Sequence, residues 1–101
     1  MPLFESAHRI GFEYRLDEES WRLHDFWIDV AVADKFGRDN FLLPANADPK
    51  NLPWLHRRNL IHAIEAHGLG GCQSEVLGKD FVRFEIDVEE PKERVTLKRL
   101  L

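Results

Sequence analysis

Residues 82–88 read Val-Arg-Phe-Glu-Ile-Asp-Val, and this stretch decides the fold. Its apolar side chains alternate strictly with charged ones, so a period of two places every apolar side chain on one face of a β-strand. Arg83, Glu85 and Asp87 share the opposite face. The stretch therefore predicts a sheet with one face against a core and the other face polar, as is common in antiparallel sheets.

A helix is predicted before this strand, from about Pro53 to His67. Pro53 suits the first helical turn, where its missing N–H costs nothing, and Gly68 suits a left-handed exit from the last turn. At 100° per residue, one face of this helix carries the apolar side chains Trp54, Leu60, Ile61 and Ile64. Arg57 falls within the same arc, so we expect its aliphatic stem to lie along the apolar surface.

The segment 21–33 fits both a helical and a strand periodicity. At strand spacing, one face carries the β-branched side chains Ile28, Val30 and Val32. This run favours a strand from about Phe26, because β-branched side chains suit a pleated surface. Residues 35–40 are then predicted as a hairpin connection, and residues 41–43 as a short returning strand that Pro44 ends.

Three further runs complete the predicted sheet. Residues 9–17 alternate in the manner of a half-buried strand, strands resume after Gly71, and a closing strand is predicted from Val95. The expected architecture is α+β, an antiparallel sheet of about five strands with one main helix packed on one face. The 101 residues fit a single domain, residues 1–101.

Composition and charge limit the cellular location and the classes of partner that we expect. Cys72 is the single cysteine and the N-terminal residues lack the pattern of a secretory signal, so we expect a cytoplasmic location. No run approaches the ~18 uninterrupted apolar residues of a membrane span, so no membrane partner is expected. The net charge of −4 argues against nucleic acid as the main partner.

The predicted helix carries three of the five histidines, at spacings of six and five residues, His56, His62 and His67. Chelation within one helix requires a spacing of three or four. His62 and Glu65 have that spacing and would supply half of a metal site, which His8 or His24 would have to complete after folding. We identify no catalytic set and expect no cofactor; a small metal- or ligand-dependent enzyme using these helix histidines is the alternative hypothesis.

Partner binding is the leading hypothesis. Glu85, Asp87 and Glu89 form an acidic row that would steer a basic protein, because complementary charge raises association rates. Trp27 and Trp54 are the aromatic side chains most suited to anchor an interface. The chain is thus predicted to be a non-enzymatic protein–protein interaction module, a small acidic regulator, adaptor or inhibitor of another protein.

The sequence leaves two further partners open, a second copy of the chain and nucleic acid. A second copy of the chain is a candidate, because an exposed sheet edge is able to pair with its own kind. A third function, nucleic-acid binding, would use Arg57, Arg58 and the basic C-terminal tail with Lys92, Arg94, Lys98 and Arg99. Affinity for nucleic acid would then fall steeply with salt.

Overall fold

A computed structural model describes residues 8–89, which form a four-stranded antiparallel sheet and two helices. The elements in chain order are β1 (His8–Asp17), β2 (Ser20–Ile28), α1 (Val30–Phe36), a 3₁₀ turn (Arg38–Phe41), α2 (Leu52–Ala66), β3 (Gly70–Leu77) and β4 (Phe81–Glu89). The strand order across the sheet is β2-β1-β4-β3, so β1 and β4 lie at the centre and β2 and β3 form the two edges. The predicted α+β class, antiparallel sheet and main helix are confirmed.

The core lies between the central strands and the helices. The alternation of β1 and β4 is confirmed by burial, with the inward side chains Ile10, Phe12, Tyr14, Val82, Phe84, Ile86 and Val88 all buried. α2 contacts β1, β2 and β4, whereas every residue of β3 is exposed. One edge strand of the sheet is therefore left outside the core.

The bounds of α2 agree with the sequence prediction to within one residue at each end, and the buried face agrees in part. Pro53 lies in the first turn, and Gly68 takes a φ of 73° just beyond the last. The side chains that α2 buries are Pro53, His56, Leu60 and Ile64. Trp54, predicted on the packed face, is 46% exposed, whereas His56 is 0% exposed. Leu60 and Ile64 are buried and Ile61 packs against the core as predicted, so the correction concerns Trp54 and His56 alone.

The prediction for residues 29–43 was wrong. The strand ends at Ile28, and α1 begins at Val30 because the carboxylate of Asp29 accepts a hydrogen bond of 2.8 Å from the backbone N–H of Ala31. Such a side chain satisfies one of the unpaired N–H groups of a helix start. Gly37, with a φ of 86°, ends the helix, and Phe41 closes a 3₁₀ turn in place of the predicted returning strand.

Four strands, rather than about five, make up the sheet within residues 8–89. The closing strand predicted from Val95 and the basic tail fall outside the described residues. Within the described part of the chain, no helix combines the length and the apolar composition needed to cross a bilayer.

Candidate functional site

The sheet face opposite α2 brings Trp27 and Glu85 into contact. The indole of Trp27 lies across Gly11, where a Cβ atom would collide with it. Its Nε1–H donates a hydrogen bond of 2.8 Å to Oε2 of Glu85, and the guanidinium of Arg83 lies 4.9 Å from the ring centroid. Two residues that the sequence assigned separately to a partner surface are thus already partners of each other.

One member of the acidic row of β4, Asp87, pairs with a basic side chain of β1. Asp87 accepts a hydrogen bond of 3.0 Å from Nε of Arg9. On the same face Arg15 pairs with Glu13 at 2.9 Å. Glu89 lies at the end of β4, opposite Gly70. This face therefore carries both signs of charge, and its ion pairs are exposed ones of small energetic value.

Trp54 lies on α2, on the other side of the sheet from Trp27. Its ring packs edge-to-face against Trp21 with 5.6 Å between centroids. The residues predicted as partner contacts consequently occupy opposite faces of the sheet and do not form one surface.

The metal and nucleic-acid hypotheses gain no geometric support. His62 and Glu65 are both exposed on α2, and within residues 8–89 no three side chains of His, Cys, Asp or Glu gather as a metal site would require. Arg57 pairs with Glu75 at 2.6 Å, and its guanidinium lies 5.1 Å from the ring centroid of Phe84. Arg57, one of the two helix arginines of the nucleic-acid hypothesis, is therefore already paired with another residue of the chain.

His56, one of the helix histidines of the alternative enzyme hypothesis, is a buried titratable group. Its Nε2 lies 2.9 Å from the carbonyl oxygen of Phe41 and its Nδ1 lies 2.9 Å from the hydroxyl of Tyr14. A carbonyl only accepts, so Nε2 carries the proton and Nδ1 accepts from Tyr14. The imidazole also stacks on Phe12 and Phe26 at centroid distances of 4.6 and 5.5 Å. Both polar atoms are satisfied, which makes this a structural histidine.

Burial fixes the protonation of this pair. Burial lowers the pKa of His56, and the hydrogen bond to Phe41 opposes this effect without cancelling it. Burial also raises the pKa of Tyr14 to about 12. A buried neutral imidazole and a buried neutral phenol both follow from the cost of placing charge in an apolar surrounding. While His56 is neutral, Tyr14 is therefore the donor of the hydrogen bond between them.

The β3 edge is the least protected part of the sheet. β3 contains no Lys, Arg or Pro, and its one charged residue is Glu75. Natural edge strands are usually blunted by such residues or by bulges. The other edge strand, β2, is protected in these ways. It has charged side chains and a register shift opposite Glu13. The N–H of Trp21 also donates a hydrogen bond of 3.1 Å to the carbonyl oxygen of Pro49. The sequence shows that β3 lacks these protective residues, but it does not show that β3 lies at an edge.

Backbone geometry shows which β3 groups are free. The N–H of Gly78 donates 2.8 Å to the carbonyl oxygen of Phe81, so Gly78 faces β4 with its hydrogen-bonding groups. In an antiparallel ladder the direction alternates from residue to residue. The N–H and C=O groups that point away from β4 are those of Gly71, Gln73, Glu75 and Leu77, here called the edge-facing residues. Within residues 8–89, no hydrogen bond from outside the ladder reaches these backbone groups.

Two separate concavities, here together called the groove, lie between α2 and β3 beside the edge. At one end lie Trp54 and Leu77, above Val82 and Phe84. At the other end is a concavity of about 160 Å³ with a mostly polar exposed surface, formed by Ile61, Ile64, Glu65, Leu69, Gly70, Gly71, Gln73 and Ile86. The ion pair of Arg57 and Glu75 lies at the first end. An extended backbone along β3 would find hydrogen-bonding groups at the edge and apolar contacts at the end that carries Trp54 and Leu77.

Comparison with protein-family models, with curated proteins and with solved structures finds no match to this chain.

Proposed function

We propose that this chain is a non-enzymatic protein-interaction module that binds an extended segment of another polypeptide along β3. The observation that carries the proposal is the β3 edge, an eight-residue strand with exposed side chains and free backbone groups at its four edge-facing residues. In strand addition, main-chain hydrogen bonds supply affinity and neighbouring pockets supply specificity. A role as regulator, adaptor or inhibitor is consistent with such a site.

The groove offers anchors for the bound segment. Trp54 is 46% exposed and Leu77 is 65% exposed, and both line one end of the groove. Exposed tryptophans beside apolar neighbours are the side chains that most often dominate interface energetics. We place the site in a reducing, cytoplasmic compartment, which is compatible with the free, exposed thiol of Cys72.

The proposal is tested by a matched pair of variants at an edge-facing residue, Gln73→Pro and Gln73→Ala. Proline removes the N–H that points to the edge, without removing a bond to β4. Alanine shortens the same side chain and keeps the N–H. Urea unfolding of both variants checks that the fold is retained.

Each variant and the wild type are immobilised and exposed to extract of the cells that make the protein. A partner recovered with wild type and Gln73→Ala, and reduced roughly tenfold with Gln73→Pro, supports the proposal. Equal recovery with the two variants would show that the partner binds elsewhere.

A further inference from the structure

We propose that the strand added to the β3 edge is β3 of a second copy of this chain, paired antiparallel about a two-fold axis at Ser74. The inference rests on the proposed function, since it names the occupant of the same site. It is carried by the fit of β3 to itself in backbone direction, charge and side-chain shape.

Backbone direction restricts the pairing. In a two-fold dimer, each hydrogen-bonded pair must join two edge-facing residues, because only these direct N–H and C=O away from β4. The edge-facing residues are alternate residues of the strand, so residues directly opposite one another have side chains on the same side. The two α2 helices then lie on one face of a continuous sheet.

Charge and length select among the registers. An axis at Glu75 would place two carboxylates directly opposite each other, which is destabilising. An axis at Gln73 would carry Leu77 past the start of the partner β3. An axis at Ser74 pairs residues 71–77 with one another through about eight backbone hydrogen bonds. It also places the amide of Gln73 opposite the carboxylate of Glu75, a donor opposite an acceptor.

Side-chain shape supports the same register. With the axis at Ser74, Leu77 of one copy lies opposite Gly71 of the other, on the face that carries α2. Leu77 is 65% exposed in the single chain, and Gly71 lines the concavity of about 160 Å³ whose walls include Ile61 and Ile86. Because Gly71 has no side chain, the leucine has access to this concavity. The contact occurs twice by symmetry.

The dimer is expected to be weak. Contact is confined to one strand and one leucine from each copy, so the buried area falls at the small end of specific interfaces, below roughly 1,200 Å². Association should therefore depend on concentration, with dissociation on dilution.

Sedimentation velocity of the purified full chain tests the association, from roughly 1 μM to 1 mM, the range over which weak complexes form. We expect a monomer at the dilute end and a dimer at the concentrated end. Gln73→Ala keeps the edge hydrogen bonds, loses only the side-chain contact with Glu75, and should weaken the dimer less than Gln73→Pro does. Gln73→Pro removes one edge hydrogen bond from each copy and should raise the dissociation constant by roughly tenfold or more.

Disulfide formation tests the register. Ser74→Cys combined with Cys72→Ser places one thiol in each copy beside the axis, with Cα atoms about 4.5 Å apart in a non-hydrogen-bonded pair. In the wild type the two Cys72 residues are offset by four positions, about 13 Å along the strands. Disulfides form across Cα separations below about 7 Å. Under mild oxidation the double variant should crosslink about tenfold faster than wild type.

Three results would overturn the inference: a monomer at every concentration, a dimer unaffected by Gln73→Pro, or faster crosslinking through Cys72 than through position 74. These outcomes are separable from failure of the proposed function. A purified chain that stays monomeric, while Gln73→Pro loses a different protein that Gln73→Ala recovers, would leave β3 as a binding edge and exclude the second copy as its occupant.

Discussion

Replacing Tyr14 with Phe should lower the free energy of unfolding by about 1–3 kcal/mol, the cost of leaving a buried polar atom without a partner. The imidazole of His56 is 0% exposed, so water has no access to replace the lost donor. Nε2 already donates to the carbonyl oxygen of Phe41 at 2.9 Å, which fixes Nδ1 as an acceptor. Loss of the hydroxyl leaves ring packing in place, including the edge contact with Phe12 at 5.1 Å.

The same pair gives stability a pH dependence with a defined sign. Because burial lowers the pKa of His56 in the folded state, the unfolded chain binds more protons as pH falls below about 6.5, the ordinary histidine value. The contribution is fully present above that pH. It is lost progressively toward the lower folded-state pKa, by up to about 1.4 kcal/mol per pH unit.

The assay is urea unfolding followed by tryptophan fluorescence and far-UV circular dichroism, for wild type, Tyr14→Phe, His56→Phe and the double variant. His56→Phe should flatten the dependence of stability on pH between about 6.5 and 5. The double-variant cycle isolates the coupling between the two side chains. A loss below about 0.5 kcal/mol for Tyr14→Phe, or the same pH slope with and without His56, would refute the account of the buried pair.

Two other substitutions separate the faces of the sheet. Gly11→Ala should destabilise the fold by roughly 1–3 kcal/mol, because the added Cβ would lie 2.7 Å from a backbone oxygen of Phe84 and against the indole of Trp27. Unchanged stability and unshifted tryptophan fluorescence would contradict that packing. Asp87→Lys should leave binding at β3 unchanged, because the carboxylate lies beside Arg9 on the sheet face opposite α2. Loss of the partner in a pull-down with folded protein would instead favour the acidic row as the binding surface.

Sequence periodicity predicted the parts of the fold in which local pattern and burial agree. β1, α2 and β4 follow from alternation, from Pro53 and from Gly68. Asp29 interrupts the β-branched run, and its capping bond to Ala31 starts a helix that the run disfavours. Here a short-range hydrogen bond outweighs the weak propensity of Val30.

The burial of His56 on α2 and the position of the site depend on tertiary contacts that periodicity does not contain. His56 is buried because Tyr14 and Phe41, distant along the chain, satisfy both ring nitrogens. The residues of β3 are identifiable as a strand, but its place at an edge follows from the strand order β2-β1-β4-β3. Strand order is set by long-range pairing, so the sequence pattern alone did not point to this edge.

Amide hydrogen exchange along β3 tests the central claim most directly. In dilute protein the amides of the four edge-facing residues should exchange freely, while the alternate amides, those of Cys72, Ser74 and Val76, remain protected by bonds to β4. Raising the protein concentration, or adding a captured partner, should protect the edge-facing amides as well. Edge-facing amides that are already protected in dilute, monomeric protein would contradict the account, because the edge would not be open to an added strand.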